Sequence, residues 1–309
     1  MTKIAIVIPY FGKFPKWIDL YLYSCSKNPI VDFIFYTDCE IPSRVYPNTI
    51  FNKITFSQYC NIVSQALHIQ FRPSNSYKLC DIRPFLGIIH KKELDRYDFW
   101  GYGDIDLVYG DLSSFLTPQK LLKYDLFTTH INRVAGHFTI IRSKSQYSTL
   151  CYKIPNWETL LTDDVHYGIN EGSFTEIVMP FKEKLIRCLW NRLFKFFIKD
   201  KYRFDKIASL LLPTTNNRVH MREMFTTFQP SPDAIYTYNC KTSTITCGKA
   251  LNTKTISKGV IYLHFLFFKE TKYLKTENYW HEDFYQIPLD TDFSNVTTIE
   301  FTTKHIKMA

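Results

Sequence analysis

Five consecutive apolar residues near the amino terminus, Ile4-Ala5-Ile6-Val7-Ile8, are stopped by Pro9. An unbroken run of this length suits a strand covered on both faces, as in a parallel sheet with helices packed above and below. It is too short for the core of a signal peptide or for a membrane span, so a cytoplasmic protein is expected. Apolar residues at helical spacing follow over Trp17 to Ser26, and Asp32-Phe33-Ile34-Phe35-Tyr36-Thr37-Asp38 reads as a second strand. Strand, helix and strand make a right-handed crossover. Ligands of such sheets bind beyond the carboxyl ends of the strands, so Pro9-Tyr10-Phe11-Gly12 and Thr37-Asp38 are expected side by side on the binding edge. Thr55 to Ala66 and Pro84 to Leu94 read as further helices, the second opened by Arg83-Pro84 with proline at its first position. Phe99-Trp100-Gly101-Tyr102 reads as another strand.

That strand runs into three acids, Asp104, Asp106 and Asp111, in the stretch FWGYGDIDLVYGDLSSF. Two carboxylates one residue apart, where the chain bends at a strand end, can converge on one divalent cation. Such hard oxygen ligation suits Mg or Mn, with ligand phosphates completing the shell. The same residues would also serve as a polar turn closing a hydrophobic strand. Asp111-Leu112-Ser113-Ser114 carries a helix-cap pattern of its own. A formal charge of +9 permits attraction to phosphates without choosing their carrier. With 45% hydrophobic and 17% aromatic residues and only 10 glycines, the chain has the make-up of a packed globular protein, not of a disordered one. The eight cysteines form no CxxC pair and no zinc-ligand spacing, which favours reduced thiols.

Taken together, the DxD at 104 to 106 and the run KLCDIRPFLGIIHKKELDRYDFWGYGDIDLVYGDL, residues 78 to 112, resemble DxD-containing bacterial glycosyltransferases of the GT-A fold. The similar group is largely uncharacterised and found among genes for surface polysaccharide synthesis. FIFYTD at 33 to 38, AGHFTIIRS at 135 to 143 and YLHFLFFKETKY at 262 to 273 fit it in order. The resemblance implies an α/β, Rossmann-like nucleotide-binding sheet with helices on both faces over residues 1–150. It also implies a mostly helical acceptor-side region over 151–309, with segment 255–273 returning to the metal.

By position, the resemblance gives Asp38 the base of a UDP-sugar, with Pro9, Tyr10 and Phe11 lining base and ribose. Lys78 and Asp81 would face the nucleotide, and Arg83 a phosphate or the donor sugar. Asp106 would hold Mn2+ or Mg2+ directly, Asp104 would bind the ribose or the metal, and His264 would supply a late metal ligand. Lys269 would meet the leaving phosphate. His137 would touch donor or acceptor, or cap the strand expected over Phe138 to Arg142. If the enzyme inverts, a carboxylate must take the acceptor proton; Glu171 is the first candidate and Asp164 the second. The implied partners are a nucleotide-sugar donor and an oligosaccharide or lipid-linked glycan acceptor.

Residues 181 to 212 set apolar positions at helical spacing beside nine lysines and arginines. This suits a helix lying on an anionic membrane, peripheral on the inner face of the plasma membrane, or a core-packed helix with solvated cations. Two other classes share parts of the pattern. A nucleic-acid-binding protein would also be basic and aromatic, but no nucleic-acid motif occurs and the acids at the strand end oppose it. A nucleotidyltransferase would also pair aspartates, yet neither GxxxxGK nor GxGxxG is found.

Overall fold

The computed structural model describes residues 2–130, 133–179, 218–221, 226–227, 234–249, 252–256, 260–265, 283–302 and 305–309. In chain order the strands are β1 (Ile4–Pro9), β2 (Val31–Thr37), β3 (Thr49–Lys53), β4 (Phe99–Gly103), β5 (Leu107–Tyr109), β6 (Leu126–Thr128), β7 (Phe138–Arg142), β8 (Val219–Met221) and β9 (Thr226–Thr227). They continue with β10 (Ala234–Asn239), β11 (Thr244–Lys249), β12 (Asn252–Ile256), β13 (Tyr262–His264), β14 (Thr298–Phe301) and β15 (Ile306–Met308). The chain is a mixed α/β protein built on a seven-stranded sheet of order β3-β2-β1-β4-β7-β6-β8. Strands β3, β2, β1 and β4 run parallel, and β7 is antiparallel to both its neighbours.

The apolar run of β1 behaves as two-sided burial requires. Ala5 and Val7 enter one core cluster while Ile4, Ile6 and Ile8 enter another, because successive side chains of a strand point to opposite faces. β2 divides in the same way, with Ile34 and Tyr36 on one side and Val31, Phe33 and Phe35 on the other. Helix α1 (Ile18–Ser26) covers the second face, and α2 (Phe56–Leu67) covers the first. The start of α2 is fixed by a capping box: the Gln58 backbone N–H donates to the Thr55 hydroxyl, while the Thr55 N–H donates to the Gln58 side chain at 2.9 Å.

Two expectations are corrected here. Pro84 to Leu94 is not one helix. A 3-10 turn, Arg83–Phe85, leads into Leu86–Ile89, and the path breaks at His90 before Lys91–Leu94. The His90 ring is buried, stacked on Tyr36 at 4.3 Å with Nε2 3.0 Å from the Tyr59 hydroxyl. The later half is also not mostly helical in its described residues. β12-β11-β10-β14-β15 form a second sheet, and β5-β13-β9 form a third. The sheet of the first half likewise continues past residue 150, through β8. Residues 181–212 lie outside the described residues. Among the described residues no helix is long and apolar enough to cross a membrane. Cys25, Cys39, Cys60, Cys80, Cys151 and Cys240 are free thiols.

Candidate active site

The carboxyl ends of β2, β1 and β4 form one edge, and the site grows from it. The Tyr10 N–H still donates to the Tyr36 carbonyl at 2.9 Å, so β1 and β2 separate only at the next residue. Gly12, at φ 107°, then turns its N–H onto Asp38 Oδ1 at 2.7 Å. A side chain would strain that backbone, so glycine is what lets the loop close on Asp38. Tyr10 stacks on Phe14 at 5.4 Å and half-exposes its ring, beside the half-buried Pro9. Phe11, expected to line a base, packs instead against Phe56 and Tyr59 at 5.3 Å each and is buried.

At the end of β4 the chain bends between Asp104 and Asp106. The bend is pinned from the residue before α1: the Trp17 indole N–H donates to the Ile105 carbonyl at 2.9 Å. β5 then leaves the main sheet to pair antiparallel with β13, with His264 opposite Leu107. The Phe265 N–H closes this pairing on the Asp106 carbonyl at 3.0 Å. Residues far apart in sequence are thereby brought together, and one ligand-type atom each of Asp104, Asp106 and His264 lies within 4.8 Å of the others. His264 Nε2 is 3.5 Å from Asp106 Oδ1. Both residues are buried, and neither ring nitrogen of His264 has a hydrogen-bond partner among the described residues. A buried imidazole without hydrogen bonds beside two carboxylates fits a divalent cation such as Mn2+ or Mg2+. Asp111 takes no part; its side chain caps the turn Leu112–Ser114 through the Ser113 N–H.

Arg83 joins this cluster to a second one. Its guanidinium hydrogen-bonds Asp104 and donates to the Gly136 carbonyl at 2.8 Å. Burial opposes its charge, but Asp104 more than offsets that and raises the Arg83 pKa above its ordinary value. The Gly136 N–H in turn donates to Glu171 Oε1 at 2.8 Å. His137 is buried, and its ring stacks on His264 with centroids 4.2 Å apart. Burial, and then the charges of His264, His130, Arg133 and Arg83, push its pKa well below the ordinary range and keep it neutral. His130, His137 and Glu171 also bring ligand-type atoms within 4.8 Å. There the Arg133 guanidinium already stands between two of them, 2.9 Å from His130 Nε2 and 3.4 Å from Glu171 Oε2. His130 and Arg133 carry no motif, and only their place just before β7 could have drawn attention to them.

The other expected residues lie apart from this constellation. Lys78 and Asp81 are almost wholly enclosed and bond each other and the loop around residue 165. Asp164 is exposed and accepts from the Ser74 N–H at 2.8 Å. Lys269 lies outside the described residues.

The family described as Family of unknown function (DUF6625) matches residues 6–292. The chain belongs to it. No curated protein matches. Solved structures similar to this family member include an active-site mutant of LgtC, at 11% identity over 55% of this chain and 71% of that one, with a TM-score of 0.33. Mouse xyloside xylosyltransferase 1 in its apo form is similar at 8% identity over 57% and 81% of the two chains, with a TM-score of 0.35. The glycosyltransferase GlyE of Streptococcus pneumoniae TIGR4 is similar at 15% identity over 71% of this chain, which spans 54% of GlyE, with a TM-score of 0.35. Superpositions this partial transfer no residue role.

Proposed function

We propose that this protein is a metal-assisted glycosyltransferase that moves a sugar from a nucleotide-diphosphate sugar, a UDP-sugar, to a glycan or lipid-linked glycan acceptor in surface polysaccharide synthesis. One observation carries the reading: Asp104, Asp106 and His264 converge beyond the carboxyl end of β4, on the sheet edge that also holds the Gly12–Asp38 contact. An α/β sheet binds nucleotides at that edge, and an Asp, Asp and His set suits a cation that meets a diphosphate.

In this reading Asp38, fixed through one oxygen by Gly12, offers the other to the base, and Tyr10 lines it. Asp106 and His264 would hold the cation, and Asp104, which Arg83 already engages, would lie beside it. When bound, the cation would supply positive charge to the diphosphate as the glycosidic bond breaks and negative charge grows on the leaving oxygens. Arg83 adds a fixed charge on the same side. Charges fixed before the reaction stabilise the transition state without reorganising. Glu171, which accepts the Gly136 N–H, would take the proton of the acceptor hydroxyl if the enzyme inverts.

The test is manganese binding followed by electron paramagnetic resonance, together with release of UDP from UDP-hexoses. The wild-type chain should bind manganese more tightly with UDP present and should hydrolyse at least one donor. Asp106→Ala and His264→Ala should lose both properties while melting cooperatively. Manganese retained by both variants with unchanged affinity would remove the basis of the reading.

A further inference from the structure

Lys78 and Asp81 form the most deeply enclosed ion pair among the described residues, with side chains 1% and 0% exposed and Nζ 3.1 Å from Asp81 Oδ2. The rest of their bonding goes to one remote loop. Lys78 Nζ donates to the carbonyl of Leu160 at 2.6 Å and to that of Val165. Asp81 Oδ1 accepts the Ile169 N–H and Oδ2 the Tyr167 N–H, each at 2.9 Å. An ammonium has three N–H donors, and all three of Lys78 have an acceptor inside the protein. Lys78 has no donor left for a nucleotide, and Asp81, at 0% exposed, presents no surface to one.

The loop needs those bonds. Residues 163–172 contain neither helix nor strand, so their buried backbone groups have no ladder to join and must be met by side chains. An enclosed ion pair repays its desolvation only when its remaining lone pairs and protons are satisfied as fully as these are. Beyond Ile169 the chain turns tightly, with the Glu171 and Gly172 N–H groups donating to the Gly168 carbonyl at 3.1 and 2.8 Å. Glu171 therefore stands two residues from the anchor at Asp81, and its carboxylate meets Gly136. Two residues after Asp81, Arg83 grips Asp104 and the carbonyl of the same Gly136. The short segment from Lys78 to Arg83 thus touches both halves of the site.

From this geometry we propose that Lys78 and Asp81 are positioning residues. They set the distance of Glu171 from the Asp104–Asp106–His264 cluster, and they do not bind the nucleotide. The proposal rests on the glycosyltransferase reading for the role of Glu171, but not for the anchoring itself.

Asp81→Asn tests it, with hydrogen exchange of peptides covering 163–172, manganese and UDP affinities, and the kcat and KM of donor hydrolysis. The expected result is at least tenfold faster exchange in the loop and at least a tenfold fall in kcat. Manganese affinity, UDP affinity and donor KM should stay within twofold of wild type. The double variant Lys78→Met/Asp81→Asn leaves no unpaired buried charge, carries the same expectation, and replaces the single variant if that one does not fold. A tenfold loss of UDP affinity with loop exchange unchanged would overturn the proposal in favour of direct nucleotide contact. Faster exchange with unchanged kcat would overturn the positioning role. A wild-type chain that binds neither manganese nor UDP would overturn the functional reading and with it that role, whereas the exchange measurement would still decide the anchor.

Discussion

Gly136→Ala is the sharpest probe of how the two halves of the site are registered. Gly136 has no positive φ, so alanine meets no backbone penalty there, and any effect must come from the added methyl group. That carbon would lie 2.4 Å from Asn170 Nδ2, 3.0 Å from Glu171 Oε1 and 3.2 Å from Glu171 Cγ. Ordinary contact begins near 3.4 Å, so the Asn170 amide must retreat by about 1 Å and Glu171 by a few tenths. Asn170 is 4% exposed and has little room to do so. Overpacking of this kind costs about 1–3 kcal/mol of stability. A displacement of about 1 Å at a reacting group can cost roughly 100-fold in rate, equivalent to about 2.7 kcal/mol of barrier. Turnover of Gly136→Ala should therefore fall by 10- to 100-fold on these estimates. Manganese affinity should hold, because Asp106 and His264 are not touched by the new carbon. Urea denaturation, nucleotide release from the donor and manganese titration measure the three quantities. Turnover within twofold of wild type would refute the claim that Glu171 acts from the place Gly136 gives it.

Two further predictions concern stability against pH. Burial holds His90 down to about 3 from an ordinary 6.5, so the unfolded chain takes up a proton near pH 6.5 that the folded chain refuses. Stability is then complete above pH 6.5 and declines at about 1.4 kcal/mol per unit as pH falls toward 3. The unfolding free energy of His90→Gln from urea titrations between pH 7 and 5 should fall less steeply than that of wild type, approaching that difference per unit below pH 6.5, and parallel curves would contradict the assignment. At Asp125 burial alone would raise the carboxyl pKa, but hydrogen bonds from Arg218 and Arg142 outweigh it and hold it below the usual range. This stabilisation is present above the ordinary carboxylate pKa of 3.8 and is lost as pH falls through the folded value. Asp125→Asn should accordingly lower the melting temperature at pH 7, with the gap to wild type closing in acid.

What the sequence made legible follows the strength of local signals. β1, β2, β4 and β7 announce themselves as apolar runs bounded by polar residues, and α2 by a cap three residues before its glutamine. The break at His90 could not be seen, because the rings of Tyr36 and Tyr59 that enclose it come from β2 and α2. The later half carries a local signal as well: aromatic and polar residues alternate over Tyr236-Thr237-Tyr238-Asn239, the period of a strand, and the structure turns both tyrosines inward. At the site, the strand-end position of Asp104 and Asp106 was readable from pattern, and His264 was reached through family resemblance. The opposite held for Lys78 and Asp81. Nothing around them names a partner some ninety residues on, so the bonds from Asp81 to the Tyr167 and Ile169 N–H groups are not legible in the sequence.

The meeting of Asp106 with His264 is enforced by packing on two sides. Leu107, Tyr109 and Tyr262 belong to the core under the main sheet, whereas Val108 and Leu263, from the same two strands, belong to the core of the second sheet. A slip of one residue between β5 and β13 would exchange these two sets of side chains and place each in the wrong core. Such a slip would also carry His264 away from Asp106. The register that keeps both cores apolar is therefore the register that builds the Asp and His cluster, and the cluster is set before any ligand arrives. Charges held in place by the fold in this way lose nothing to reorganisation when a diphosphate binds, which is what the proposed chemistry requires of them.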